Sequence, residues 1–178
     1  MSRAHSLVLL SFVVAGGLAI APQIRYNVGR PAAPEEIRAR DLTVLPDGTG
    51  LPAGHGTAVE GRSFFAAQCV SCHGERGEGN AYFPPLVGGL GTLASQQPNL
   101  TVGSYWPYAT TVWDYIRRAM PYQNPGSLTS DQVYSLTAYI LYMNKLIGER
   151  EELNKQTLPR VKMPNQNGFL ADPRPDVK

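Results

Sequence analysis

With 178 residues, the chain is long enough for one domain with terminal extensions. An apolar share of 43% excludes wholesale disorder, and 18 Gly with 15 Pro exclude a chain built only of regular elements. A formal charge of +2 gives no ground for a nucleic-acid partner.

At the N-terminus, Arg3 precedes an apolar run from Leu7 to Ala21 that ends on Ala19-Ile20-Ala21, before Pro22 and Arg25. A basic start, an apolar stretch of this length and a small-residue exit read as a secretory signal over residues 1–21. The alternative is an uncleaved membrane anchor over residues 7–24, marginally short for a span. Either reading puts the folded part in the periplasm, and a membrane is involved only if the segment is retained.

Residues 22–56 carry Pro31, Pro34, Pro46, Pro52 and the turn signal Asp47-Gly48-Thr49-Gly50, with no continuous apolar period. They read as a linker or extended arm. A brief helix over Pro34–Arg40 is allowed, with Glu35 and Glu36 in its first turn. The domain proper is expected over residues 57–148. Thr57 and Glu60 make a capping box for a helix that runs into the two cysteines. A Gly-rich excursion from Gly74 to Gly91 follows, containing Pro84-Pro85-Leu86.

A second helix is predicted over Thr110–Ala119, stopped by Pro121. The third has the clearest period: Thr129 and Gln132 form another capping box, and Val133, Leu136, Ile140 and Met143 recur at helical spacing. No stretch alternates as a strand does, so the fold class is mainly α with long loops. Residues 149–178 are punctuated by Pro159, Pro164, Pro173 and Pro175. Their scattered Leu158, Val161, Met163, Phe169 and Leu170 leave two readings, a frayed tail or an extended arm packed along this domain or a partner.

The two cysteines lie within one four-residue stretch of Cys69-Val70-Ser71-Cys72-His73, so they form no disulfide framework. Cys-x-x-Cys-His is the attachment motif of c-type haem. Two thiols add across the two vinyl groups of one porphyrin, and the adjoining imidazole reaches the iron. The competing thioredoxin-like motif needs a strand leading into a helix, and a structural zinc site needs four ligands; neither is present in the sequence. One covalent haem c is therefore expected on Cys69, Cys72 and His73. Candidates for the second axial ligand are Met120, Met143, Met163 and His55. Met143 lies on a core stripe, Met163 in the Pro-rich tail and His55 in the linker. Met120 ends a helix just before Pro121, in a loop able to cover the open haem face, while a core-filling role for it stays open. His/Met ligation suits electron transfer rather than oxygen chemistry.

On these residues the sequence resembles the class I cytochrome c family, which implies three to four helices around one haem, here with long irregular terminal arms. Gly61 and Phe65 resemble that family's helix-crossing positions, with Tyr139 across from them, and Pro84-Pro85-Leu86-Val87-Gly88 resembles its Pro-x-Leu-x-Gly loop. The resemblance implies that the Pro84 carbonyl accepts from the His73 ring N–H, that Leu86 packs on the porphyrin and that Met120 is the axial methionine. Over roughly Leu51 to Asp176, segments such as Val102 to Thr110, Tyr115 to Pro121 and Leu158 to Phe169 resemble the cytochrome subunits of Sox-type sulfane dehydrogenases and of sulfite dehydrogenases. That implies an electron-transfer subunit, not catalytic alone, served by a molybdenum-cofactor dehydrogenase and emptied by a downstream cytochrome or oxidase. Well-known members of that group carry two haems, whereas this chain has one motif.

Tyr105, Trp106, Tyr108, Trp113 and Tyr115 crowd the approach to Met120 and read as pocket lining, with a tip free for a haem propionate. Arg117 and Arg118 read equally as propionate partners, docking charges or a solvated face. Two other functions remain open: a freely diffusing carrier with a dispensable tail, and a haem enzyme or sensor with a displaceable sixth ligand.

Overall fold

Glu36 organises the first helix before anything else packs. In a computed structural model that describes residues 28–174, α1 spans Pro34–Arg40. The Arg30 guanidinium donates to both Glu36 carboxylate oxygens at 2.8 and 2.6 Å, and the Ala33 N–H donates to the same carboxylate at 2.8 Å. An acidic side chain there also answers the unpaired N–H groups of the first turn. None of the α1 side chains is buried, and the described residues up to Arg40 belong to a unit separate from the one that follows. The expected export segment, 1–21, and the alternative anchor, 7–24, lie outside the described residues.

From Asp41 the chain enters a second compact unit. Within the stretch expected as linker, residues 41–56 are thus packed. Leu51 is buried, the Tyr134 hydroxyl donates to the Pro52 carbonyl at 3.0 Å, and the His55 N–H donates to Asp131 at 2.8 Å. Then β1, His55–Gly56, pairs antiparallel with β2, Leu153–Asn154, in the register His55 to Asn154 and Gly56 to Leu153. Two-residue strands are too short to show alternation, which is why periodicity gives no sign of them.

Both capping boxes form. The Thr57 hydroxyl accepts from the Glu60 N–H while the Glu60 carboxylate accepts from the Thr57 N–H, opening α2, Ala58–Gln68. Cys69 separates it from the single turn α3, Val70–His73. After the glycine-rich loop comes α4, Ala109–Ala119, one residue longer at its start than the sequence predicts. Thr129 and Gln132 cap α5, Ser130–Met143, in the same reciprocal way. Val133, Leu136 and Ile140 are buried on it, whereas Met143 is only partly buried against the core.

The helices meet in two crossings. In the first, α2 lies so close to α5 that a Cβ on Gly61 would overlap the Ser135 carbonyl oxygen. Phe65 and Tyr139 stack beside that point with ring centroids 5.3 Å apart. In the second, α4 meets α5 through Trp113 and Tyr134, also 5.3 Å apart. The C-terminal stretch packs on this frame: Leu153, Leu158 and Met163 are buried, and Asn165 donates to the Tyr105 carbonyl at 2.7 Å. Phe169 stands edge-on to Tyr105 at 5.2 Å, after which Leu170 is 94% exposed. Among the described residues, no helix is long and apolar enough to cross a membrane.

Gly61→Ala is expected to lower unfolding stability by about 2 kcal/mol or more, since the new methyl can be seated only by separating α2 from α5. Gly148→Ala, with room at its Cβ, is expected to stay within about 0.5 kcal/mol of the parent. Denaturant unfolding of the two variants checks the contrast.

Candidate functional site

Where α2 ends, its axis delivers the cysteines to one wall of a cavity of about 360 Å³. Cys69, Cys72 and His73 all line it. The turn that presents them is held from both ends. Cys72 and His73 N–H groups bond back to the Cys69 carbonyl at 3.2 and 2.9 Å, and the Asn80 carboxamide donates to the Cys72 carbonyl at 2.9 Å. Asn80 also accepts from the Tyr82 and Phe83 N–H groups at 2.8 and 3.1 Å, so one side chain ties the turn to the loop that follows.

That loop brings Pro84 and Leu86 to the same cavity, and the end of α4 brings Met120. Cys69, Cys72, His73, Pro84, Leu86 and Met120 therefore meet at one place. Of the competing second ligands, Met143 and Met163 pack in or against the core and His55 lies on β1; none of the three lines the cavity. Most of the remaining wall is apolar, with Phe65, Val102, Val112, Ile116, Leu128, Leu136 and Ile140, and its polar members are the uncharged Gln68, Thr101 and Gln123. Among the described residues, no Lys, Arg, Asp or Glu lines it.

Burial sets the protonation of the thiol and the imidazole. The Cys69 thiol is pushed up to about 11 by desolvation, with Cys72 adding to it, so it is uncharged at neutral pH. Desolvation lowers the His73 pKa, and the Pro84 carbonyl beside the ring opposes that shift. The ring Nδ1 is buried without a hydrogen bond of regular geometry, so the Pro84 contact is a close approach and not a formed bond. A neutral imidazole in an apolar wall is the form that ligates a metal. No disulfide joins Cys69 and Cys72. Two thiols, an imidazole and a thioether around a largely apolar cavity without charged lining suit an iron porphyrin, whose large apolar faces need such a lining and whose iron takes nitrogen and sulfur ligands.

The aromatic cluster divides. Trp106 and Tyr115 line the cavity and stack edge-on at 5.6 Å. Trp113 is wholly buried behind it with its ring N–H unpaired. Arg117 lies over the Trp113 ring at 5.4 Å, and Arg118 is bound to Asp114 at 2.9 Å and to the Leu42 carbonyl at 3.3 Å. Neither arginine lines the cavity. Sequence reasoning missed Thr101, Asn80 and Asn144. Each acts on backbone groups in other loops, and short polar residues beside Gly and Pro look like ordinary turn chemistry.

A family model for cytochrome c matches residues 58–144. A chain in the crystal structure of the sulfane dehydrogenase SoxCD from Paracoccus pantotrophus superposes with a TM-score of 0.76 at 44% identity, covering 84% of this chain and 74% of that one. A thiosulfate dehydrogenase from Stutzerimonas stutzeri (strain A1501) is 28% identical over 119 residues, which is 64% of this chain. The chain spans only about a third (34%) of that relative's length. The helices, the cavity and the identity across most of a solved relative agree: the chain belongs to the cytochrome c family.

Proposed function

We propose that this c-type cytochrome holds a single haem on Cys69 and Cys72, with His73 and Met120 as axial ligands. We read it as a periplasmic relay that takes electrons one at a time from a molybdenum-containing sulfane or sulfite dehydrogenase and passes them to another cytochrome or an oxidase. The observation that carries this reading is the meeting of Cys69, Cys72, His73 and Met120 on one uncharged cavity. Haem iron supplies the one-electron couple.

The protein's own residues supply the rest. Thioether links from Cys69 and Cys72 keep the cofactor from dissociating. The Pro84 carbonyl beside the ring would accept from the His73 Nδ1–H once the imidazole is ligated, which would fix the tautomer and leave Nε2 for the iron. Iron held by both His73 and Met120 would have no position left for oxygen, and the Met120 thioether would favour the reduced state. Val112, Ile116, Leu136 and Ile140 keep water from the cavity, so little solvent must reorganise when the charge changes. Oxidation of one sulfur atom releases electrons in pairs, so one haem must be loaded and emptied twice per turnover. The sulfur-compound donor rests on likeness to the two relatives, and the periplasmic location on the expected export segment.

The exposed rim of the cavity is formed by Leu100, Tyr115, Tyr122, Gln123 and Phe83. A partner meeting this rim docks by apolar contact, without ionic steering.

Intact-mass measurement and a haemochrome assay are expected to give one haem per chain, and Cys69→Ser with Cys72→Ser to give none. Mixing the oxidised holoprotein with a purified molybdenum sulfite or sulfane dehydrogenase and its sulfur substrate is expected to reduce the haem on the catalytic timescale. A haem that stays oxidised contradicts the donor assignment. In the same assay, raising ionic strength from about 0.01 to about 0.15 M shortens the Debye length from about 30 to about 8 Å. The second-order rate is expected to change by less than about twofold, where electrostatically steered partners slow by about tenfold or more.

A further inference from the structure

Four backbone groups in the loop that carries Leu86 to the cavity find partners elsewhere in the chain, from Gly77 to Asn144. The Leu86 N–H donates to the Gly77 carbonyl at 2.8 Å. The Leu86 carbonyl accepts from the Asn144 carboxamide at 3.1 Å, and the Gly88 N–H donates to the Asn144 Oδ1 at 3.3 Å. The Gly88 carbonyl accepts from the Thr101 hydroxyl at 2.6 Å. Two side chains, 3% and 1% exposed, thus satisfy three of the four groups. Asn144 also donates to the Ile140 carbonyl at 2.9 Å, so it anchors the loop on the C-terminal end of α5. Thr101 is fixed in turn by Ser104, whose N–H donates to its hydroxyl at 3.1 Å.

Three features make this more than loop packing. Buried carboxamides are costly unless their donors and acceptor are all used, and here both kinds are used. Gly103 is cut to fit: a Cβ there would overlap the Asn144 Oδ1. Leu86 and Thr101 line the cavity themselves, and the clamped stretch begins two residues after Pro84, whose carbonyl lies beside the His73 ring.

We infer that Asn144 and Thr101 are positioning residues that clamp the Leu86–Gly88 loop and so hold the Pro84 carbonyl against the His73 ring. This rests on His73 as an iron ligand. The clamp links the imidazole to the end of α5, and it acts on the His73 face of the cavity without touching Met120. A buried hydrogen bond is worth enough that losing one loosens the loop by about tenfold in its opening equilibrium.

The test uses the holoprotein. NMR of the reduced protein follows exchange of the His73 ring Nδ1–H and of the Gly88 amide, and the optical spectrum follows the Met120 ligand. Asn144→Leu, which keeps side-chain volume but removes the carboxamide, is expected to speed both exchanges by about tenfold or more and to leave the methionine spectrum unchanged. Thr101→Val is expected to speed the ring exchange likewise, and Thr101→Ser to restore the parent rate. If Asn144→Leu yields no holoprotein, the Thr101 pair decides, since it changes only a hydroxyl. Leu153→Ala, at a fully buried site outside the cavity, serves as the control for general loosening. Unchanged ring exchange in the clamp variants, or equal acceleration in Leu153→Ala, overturns the inference. A reduced parent protein whose His73 ring signals lack the porphyrin ring-current shift contradicts the ligand assignment instead, and the Gly88 amide then reads the clamp alone.

Discussion

The approach of α2 to α5 at Gly61 governs the rest of the molecule. Only a residue without a side chain lets the two backbones come so close, and that closeness aims the end of α2, and with it Cys69, Cys72 and His73, at the space beneath α5. Phe65 and Tyr139 lock the crossing on one side. Leu136 and Ile140, on the buried face of α5, then become cavity wall. The same helix carries Asn144 at its end, so a single element fixes the floor of the site and one of its loops. Fold and site share a frame, and a change at the crossing is transmitted to the cavity.

The cavity fits the carrier role proposed for it. A redox centre that must exchange electrons quickly needs surroundings that do not rearrange when its charge changes. Here that need is met by apolar side chains, an absence of charged lining among the described residues, and polar loop groups satisfied by side chains that are themselves buried. Arginines close in sequence to Met120 are held away from the cavity, by Asp114 in one case and by the Trp113 ring in the other.

Much of this was legible in the sequence, because the signals were local. The capping boxes at Thr57 and Thr129 and the stripe Val133, Leu136, Ile140 marked two helices to within a residue or two. The Cys69 to His73 motif and Met120, marked by its place before Pro121, stood out in the sequence, and both line the cavity. What was hidden depended on distant pairs. Residues 41–56 looked like linker because their contacts, Pro52 with Tyr134 and His55 with Asp131, span most of the domain. Asn144 looked like a helix end, since its partners Leu86 and Gly88 lie in a loop more than fifty residues earlier. The C-terminal stretch had two readings because scattered apolar residues carry no period; burial of Leu158 and Met163 shows a packed arm.

The most direct measurement concerns the second axial ligand. The ferric holoprotein is expected to show the weak red charge-transfer band of methionine-to-iron ligation, and the ferrous form to bind CO poorly. Met120→Ala is expected to abolish the band and admit CO, whereas Met143→Leu and Met163→Leu leave both unchanged. A parent protein that lacks the band or binds CO readily, or a band that survives Met120→Ala, would contradict the account of a closed His/Met electron carrier.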